Sequence, residues 1–393
     1  MTSNALRPSR QPIIRDGTFS LEVTHRDGQA RLGLLTTPHG CVDTPVFMPV
    51  GTAGSIKGVT PDQVLETGTQ MILANTYHLQ LRPSAEVVAQ LGGLHRFMGW
   101  PGPILTDSGG YQIFSLSGIC KLTDNAVEFR SHVDGALLRL GPAEAMRIQN
   151  QLGADIIMAL DHCPPLPCDR ETLESAVART IRWARRCKEE HARLDQALFG
   201  IVQGGLDLEL RARCSEELIG IGFDGYAIGG LSVGESYEEM AAAVPTIVGL
   251  LPADQPRYLM GVGMPRDILT AVQAGVDMFD CVLPTRNGRN SFAFTAEGAL
   301  RMRNEKHRLA DGPLELGCDC LACRQFSRGY IRHLFNVGEM LGPTLTSIHN
   351  LRFYQRFLGR IRDLIREGRL GTIIAEYPIA TQAVPVAGWE ESS

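Results

Sequence analysis

From residue 44 onward, short apolar runs alternate with longer stretches of helical period, the pattern of βα units wound around a parallel sheet. Eight runs have strand character: PVFMPV, QMILAN, PILTD, DIIMALD, ALFGIVQG, GYAIGG, RYLMGVG and MFDCVL. Between them lie helical segments such as DRETLESAVARTIRWARRCKEEHARL and PRDILTAVQAG. Eight such repeats predict an α/β chain closed into a (β/α)8 barrel over residues 17–288. Two segments break the alternation: 113–140 reads as an antiparallel insertion after the third strand, and 289–348 as a larger one after the eighth. Residues 19–36, centred on Asp27-Gly28, read as a β-hairpin capping the barrel bottom. Residues 349–376 supply the last barrel helix, and 377–393 read as a flexible tail.

The polar residues at the strand ends suggest what such a barrel would do. The third strand ends in Asp107, followed by Ser108, Gly109, Gly110 and Tyr111; the fourth ends in Asp161 and the fifth in Gln203. The sixth ends in Gly229 and Gly230, the seventh in Met260, the eighth in Asp280. Strand C-termini of a barrel converge on one mouth, where catalytic groups sit. Any one Asp is more readily a helix N-cap; the set reads as a site. A guanine-like ligand would suit it. Asp161 can accept from the adjacent N1-H and exocyclic amine, Gln203 and Gly230 can donate to O6, and Tyr111 and Met260 offer faces for a planar ring. Cys163 is expected to line the same pocket, and Asp277 reads as a turn residue. Asp107 and Asp280 remain, a pair suited to double displacement at an anomeric carbon. A barrel glycoside hydrolase would also use two carboxylates, but 6% aromatic residues argue against a sugar cleft.

The ten cysteines point to metal or thiol roles more than to a disulfide framework. Cys318, Cys320 and Cys323 form C-x-C-x2-C, with His307, His333 and His349 near enough in sequence to complete four-coordinate zinc. His349 is favoured by its place just ahead of NLRFYQRFLGRIRDLIREG, where the metal would bolt the insertion to the last helix. Four protein ligands leave no open position, so the zinc is expected to be structural. A net charge of -5 argues against indiscriminate coating of nucleic acid, but Cys281 to His333 carries nine Lys/Arg against five Asp/Glu, a possible footprint for an anionic partner. MTSNALRPSRQPIIR lacks an apolar core, and no run approaches the ~20 residues of a membrane span, so a cytoplasmic location is expected.

The motifs TDSGGYQ, FGIVQGG, GFDGYAIGGLSVGES, YLMGVG and DMFDCVLPTRNGRN, followed by CDCLAC and a late IHN, resemble those of the tRNA-guanine transglycosylases, over about residues 17 to 370. The resemblance implies a zinc-containing barrel that exchanges guanine at the wobble position of GUN-anticodon tRNAs (Tyr, His, Asp, Asn) for a 7-deazaguanine. It implies Asp280 as nucleophile, Asp107 as proton acceptor, and a homodimer. RNA contacts are expected from Gly261, Val262, Gly263, Met264, Pro265, Arg266 and Asp267, and from Thr285, Arg286, Asn287, Gly288 and Arg289. The base inserted is expected to be 7-aminomethyl-7-deazaguanine (preQ1): Leu231, Ser232 and Val233 should border its side group, and Val233 stands where queuine-using eukaryotic relatives carry glycine. Queuine is the alternative, and a non-catalytic tRNA-binding subunit a more distant one. One departure stands out. Bacterial members usually follow the base-reading aspartate with Glu-Cys, whereas this chain has His162-Cys163.

Overall fold

The computed structural model describes residues 19–116 and 120–384. Three antiparallel strands come first: β1 (Ser20–Asp27), β2 (Ala30–Thr37) and β3 (Gly40–Thr44). The β1–β2 hairpin turns at Gly28-Gln29, with Asp27 paired to Ala30. The third strand was not expected; GCVDT is short and carries a glycine and an aspartate, both poor strand formers. The barrel follows, with β4 (Val46–Gly51), β5 (Ile72–Ala74) and β6 (Ile104–Thr106). After an insertion of β7 (Cys120–Leu122), β8 (Val127–Arg130) and β9 (Leu137–Leu140) it resumes with β10 (Ile156–Met158), β11 (Ala197–Val202), β12 (Gly225–Ile228), β13 (Arg257–Leu259) and β14 (Met278–Cys281). These eight strands are parallel and close in chain order, β14 pairing with β4. The (β/α)8 expectation holds for all eight runs. The segment 113–140 is antiparallel as expected beyond its first residues, which belong to the helix Gly110–Leu116.

Side-chain parity organises the core. Val46, Met48, Leu73, Leu105, Ile156, Met158, Phe199, Ile201, Tyr258 and Met278 fill the barrel interior, while Phe47, Ile104, Ile157, Leu198, Leu259 and Phe279 pack outward against the helices. Leu35 and Val42 of the N-terminal sheet join the interior cluster and plug its bottom. Asp277 fastens that plug: its carboxylate accepts from Arg31 Nε at 2.7 Å and from Arg31 Nη2, and Arg31 also donates to the Ala253 and Gln255 carbonyls. It is a buried ion-pair partner rather than a simple turn residue.

Three further readings change. The Pro, Asn and Gly of DMFDCVLPTRNGRN predict a loop, but its arginines lie on a helix, Leu283–Arg289. Pro284 fits a first helical turn, and Gly288 permits close approach to the helix Leu341–Glu367, since a Cβ there would lie 2.8 Å from Ser347 N. That long helix begins at Leu341, so His349 lies inside it; Leu-Gly-Pro near the start reads as a breaker but is tolerated in a first turn. Finally, residues 377–384 are packed. Tyr377 sits against Phe357 at 5.2 Å, Ile379 is buried, and its N-H bonds the Ala296 carbonyl. The remainder of the expected tail, 385–393, lies outside the described residues.

Candidate active site

Parity carries polar residues into the barrel mouth. Leu105 faces inward and so does Asp107 two residues on; Ile201 leads likewise to Gln203, Tyr258 to Met260, and Met278 to Asp280. Asp107 is gripped on both oxygens. Oδ1 accepts from Thr76 N at 2.8 Å, and Oδ2 accepts from Asn75 Nδ2 and from Gln112 Nε2 at 3.0 Å. Burial raises its carboxyl to about 7, the Thr76 amide opposes the shift, and the negative charge of Asp280 adds to it. The two acids therefore share an electrostatic neighbourhood.

Asp280 is held on one side only. Its Oδ1 accepts from Tyr258 Oη at 2.5 Å and from Gly261 N at 2.8 Å, while Oδ2 has no hydrogen-bond partner among the described residues. Burial raises its carboxyl, and the Tyr258 and Gly261 donors counter that. A fixed carboxylate with one bare oxygen is the form a nucleophile requires.

The third acid lies beside the first. Asp161 Oδ1 accepts from Ser108 Oγ at 3.2 Å and Oδ2 from Gln203 Nε2 at 2.7 Å, and burial lifts its carboxyl to about 6 against those two donors. Gln203 Oε1 is buried and without a partner among the described residues. Glycine at 229 and 230 makes this arrangement possible: a Cβ would lie 2.7 Å from Gln203 Nε2 at the first position and 2.4 Å from Gln203 Oε1 at the second. Cys163 and Leu231 are buried, with Cys163 Sγ 3.7 Å from where a Gly230 Cβ would be. Met260 packs on the interior cluster, and Tyr111 is 48% exposed, which leaves a flat face available. The departure at His162 is turned away from this edge. Its N-H bonds Thr180 Oγ1 at 3.0 Å and its Nδ1 meets Arg179 Nη1 at 3.0 Å, both on the helix Arg170–Glu190. Burial and Arg179 lower the imidazole to about 4, so at neutral pH it is uncharged and accepts from the guanidinium.

The residues expected to meet RNA divide. Val262, Pro265, Thr285, Asn287 and Gly288 are buried and point their bulk into the protein. Gly261 is exposed and spends its N-H on Asp280; Gly263 accepts from Tyr354 Oη at 2.5 Å; Met264 caps the helix Pro265–Ala274. Arg266 stacks 3.8 Å over the Tyr237 ring and bonds Asp267. Arg286 and Arg289 occupy the last turn of their helix, and Arg289 Nη1 lacks a partner among the described residues. Sequence reasoning missed Asn75, Thr76 and Tyr258. Asn75 and Thr76 follow β5 directly, the same signal that found the acids, whereas Tyr258 is marked only by its inward parity on β13.

Cys318, Cys320, Cys323 and His349 converge, with their donor atoms within 4.8 Å of one another. Nδ1 of His349 lies 3.7, 3.6 and 3.3 Å from the three sulfurs in that order. Tetrahedral zinc with bonds of about 2.3 Å to sulfur and 2.0–2.1 Å to nitrogen requires S···N separations of about 3.6 Å, so the set fits that ion. His349 Nε2 bonds the Phe294 carbonyl at 2.7 Å, which leaves Nδ1 free to ligate. His307 and His333 are not in the cluster. A second group, His39, His95 and Asp155, also brings donors together, but the imidazoles are stacked at 3.5 Å and 13°, so their in-plane lone pairs cannot meet at one ion. Both rings instead bond the Asp155 carboxylate, at 2.8 and 3.1 Å.

A family model described as queuine tRNA-ribosyltransferase matches residues 27–381. The chain is 53% identical over 352 residues to the queuine tRNA-ribosyltransferase of Desulforamulus reducens, covering 90% of this chain and 95% of the relative. It is 52% identical over 362 residues to that of Solidesulfovibrio magneticus, covering 92% and 96%. It is 52% identical over 359 residues to that of Thermus thermophilus, covering 91% and 93%. No described helix is long and apolar enough to cross a membrane.

Proposed function

The chain belongs to the queuine tRNA-ribosyltransferase family and is a tRNA-guanine transglycosylase; from that premise we propose that it works by double displacement through a covalent aspartyl-ribosyl intermediate. Asp280 Oδ2 attacks C1′ of the wobble guanosine as the C1′–N9 bond breaks and its electron pair passes to N9. Guanine takes a proton from Asp107 and leaves. The incoming base returns a proton to Asp107, and its N9 then attacks C1′ and expels the Asp280 carboxylate. Two inversions give net retention, and one N-glycosidic bond replaces another without nucleotide hydrolysis. The bare oxygen of Asp280, within electrostatic reach of an Asp107 carboxyl raised to about 7, is the observation that carries the reading.

In this scheme Asp161 accepts from N1-H and the exocyclic amine, and Gln203 swings its amide from Asp161 toward O6 beside Gly230. The incoming base is preQ1. Glu235 accepts from the N-H groups of Ser232 and Val233 and so braces the wall on which the branched Val233 stands. That wall leaves room for an aminomethyl group, to which the Leu231 carbonyl can accept, but excludes a cyclopentenediol. The substrates are GUN-anticodon tRNAs, with Arg286, Arg289 and Arg266 beside the flanking phosphates. The Cys3His cluster holds one structural zinc per chain, which ties the C-terminal insertion to the long helix; the enzyme acts as a cytoplasmic homodimer. Exchange of labelled guanine into unmodified tRNA-Tyr tests the activity. Competition between preQ1 and queuine tests the specificity: equal or better turnover of queuine contradicts it, and Val233→Gly should raise queuine use.

A further inference from the structure

Arg211 is fully buried, yet no described carboxylate pairs with it. It lies in the first turn of the helix Leu208–Ile221, and its guanidinium spans three backbone carbonyls: Nε to Gly205 at 2.9 Å, Nη1 to Val202 at 2.6 Å and Nη2 to Gly230 at 3.4 Å. The Val202 carbonyl also accepts from Gly229 N at 3.1 Å, so one side chain ties the C-terminal ends of β11 and β12 together. Gly204 lets the chain wrap this closely, since a Cβ there would lie 2.9 Å from Arg211 N. Burial lowers the guanidinium only to about 10, so it stays charged at neutral pH. The charge of Glu235 acts on it only from beyond ion-pair distance, and a buried cation so weakly compensated is costly and is kept only where its hydrogen bonds are well used. Between Val202 and Gly205 stands Gln203, and Gly230 is the last of the tied positions. These are the two groups that read the purine O6 in the reading above.

We propose that Arg211 is a positioning residue for recognition of the purine 6-oxo group: its fork fixes the spacing between Gln203 and Gly230, so that an amide and a backbone N-H converge on one oxygen. Lysine carries the same charge but presents a compact ammonium that cannot span three carbonyls. The inference rests on the pocket being a guanine site, and the test separates the two.

Inhibition constants for guanine and for 2-aminopurine, which lacks O6 and with it the N1-H that Asp161 accepts, are measured against wild type, Arg211→Lys and Asp207→Ala, in all of which Asp161 is unchanged. Asp207 caps the same helix through Glu209 N and Leu210 N, so its loss loosens the turn that carries Arg211. Wild type should favour guanine strongly; if it does not, the guanine reading fails and this proposal with it. Arg211→Lys should lower that preference about tenfold or more, with the tRNA KM unchanged, and Asp207→Ala should lower it about threefold. General destabilisation would reduce the active fraction and leave the ratio alone. A folded Arg211→Lys with the wild-type ratio overturns the proposal. Should that variant fail to fold, an unchanged ratio in Asp207→Ala overturns it.

Discussion

Tyr258 donates its hydroxyl proton to Asp280 Oδ1 at 2.5 Å from the neighbouring strand of the barrel, and the other oxygen of Asp280 is bare among the described residues. The phenol is held neutral by burial and by the adjacent carboxylates, so it can act only as a donor here. The pair orients the carboxylate and offsets the upward pressure of burial on its pKa. Tyr258→Phe should shift the acid limb of the kcat/KM profile to higher pH and slow exchange by about 10- to 100-fold, the value of one charge-assisted hydrogen bond. A profile that keeps its acid limb in place would show that the bond does not tune Asp280.

Asp161 carries a trade-off between stability and function. Its folded carboxyl is lifted to about 6, above that of an unfolded aspartate, so between about pH 4 and 6 the folded protein binds the extra proton. Stability therefore falls as pH rises through that window and stays lowered above it. Asparagine can keep both contacts if the Ser108 hydroxyl reverses its role. Asp161→Asn should be more stable than wild type by up to about 3 kcal/mol at pH 8, with the difference shrinking toward pH 4, while guanine affinity falls at least about tenfold. Melting curves at the two pH values, with base titrations, check both halves.

Removal of the proposed zinc should act on the lobe that the Cys3His cluster would tie down. A chelator or His349→Ala is expected to expose the β-hairpin of strands Phe292–Thr295 and Gly298–Arg301 to hydrogen exchange and to weaken tRNA binding. Free-base binding at Asp161 should survive. Simultaneous loss of both would place the ion's influence at the barrel mouth instead.

At the other end of the barrel, Arg31→Ala leaves the Asp277 carboxylate buried without its partner. Breaking such a pair costs about 3–5 kcal/mol. Denaturant unfolding should show that loss, and kcat at a temperature where the variant is folded should be unchanged.

The strands and the acids were legible because each is a local signal: an apolar run of strand length, then a polar residue at its C-terminal end. Asp107, Gln203 and Asp280 follow from that rule. What escaped was decided by contacts distant in sequence. The Leu283–Arg289 helix contains proline, asparagine and glycine and forms because Gly288 seats it on the long helix. Burial of Tyr377 and Ile379 depends on Phe353, Phe357 and Ala296. Tyr258 was overlooked because a tyrosine within RYLMGVG reads as an ordinary strand residue until Asp280 is seen beside it.

The role of Asp280 is tested most directly by trapping. Wild-type protein mixed with unmodified tRNA-Tyr and quenched in denaturant should yield a covalent protein-tRNA adduct, and Asp280→Asn, whose amide is nearly isosteric but a poor nucleophile, should bind the tRNA and yield none. As much adduct from Asp280→Asn as from wild type would contradict the assignment of Asp280 as the attacking group.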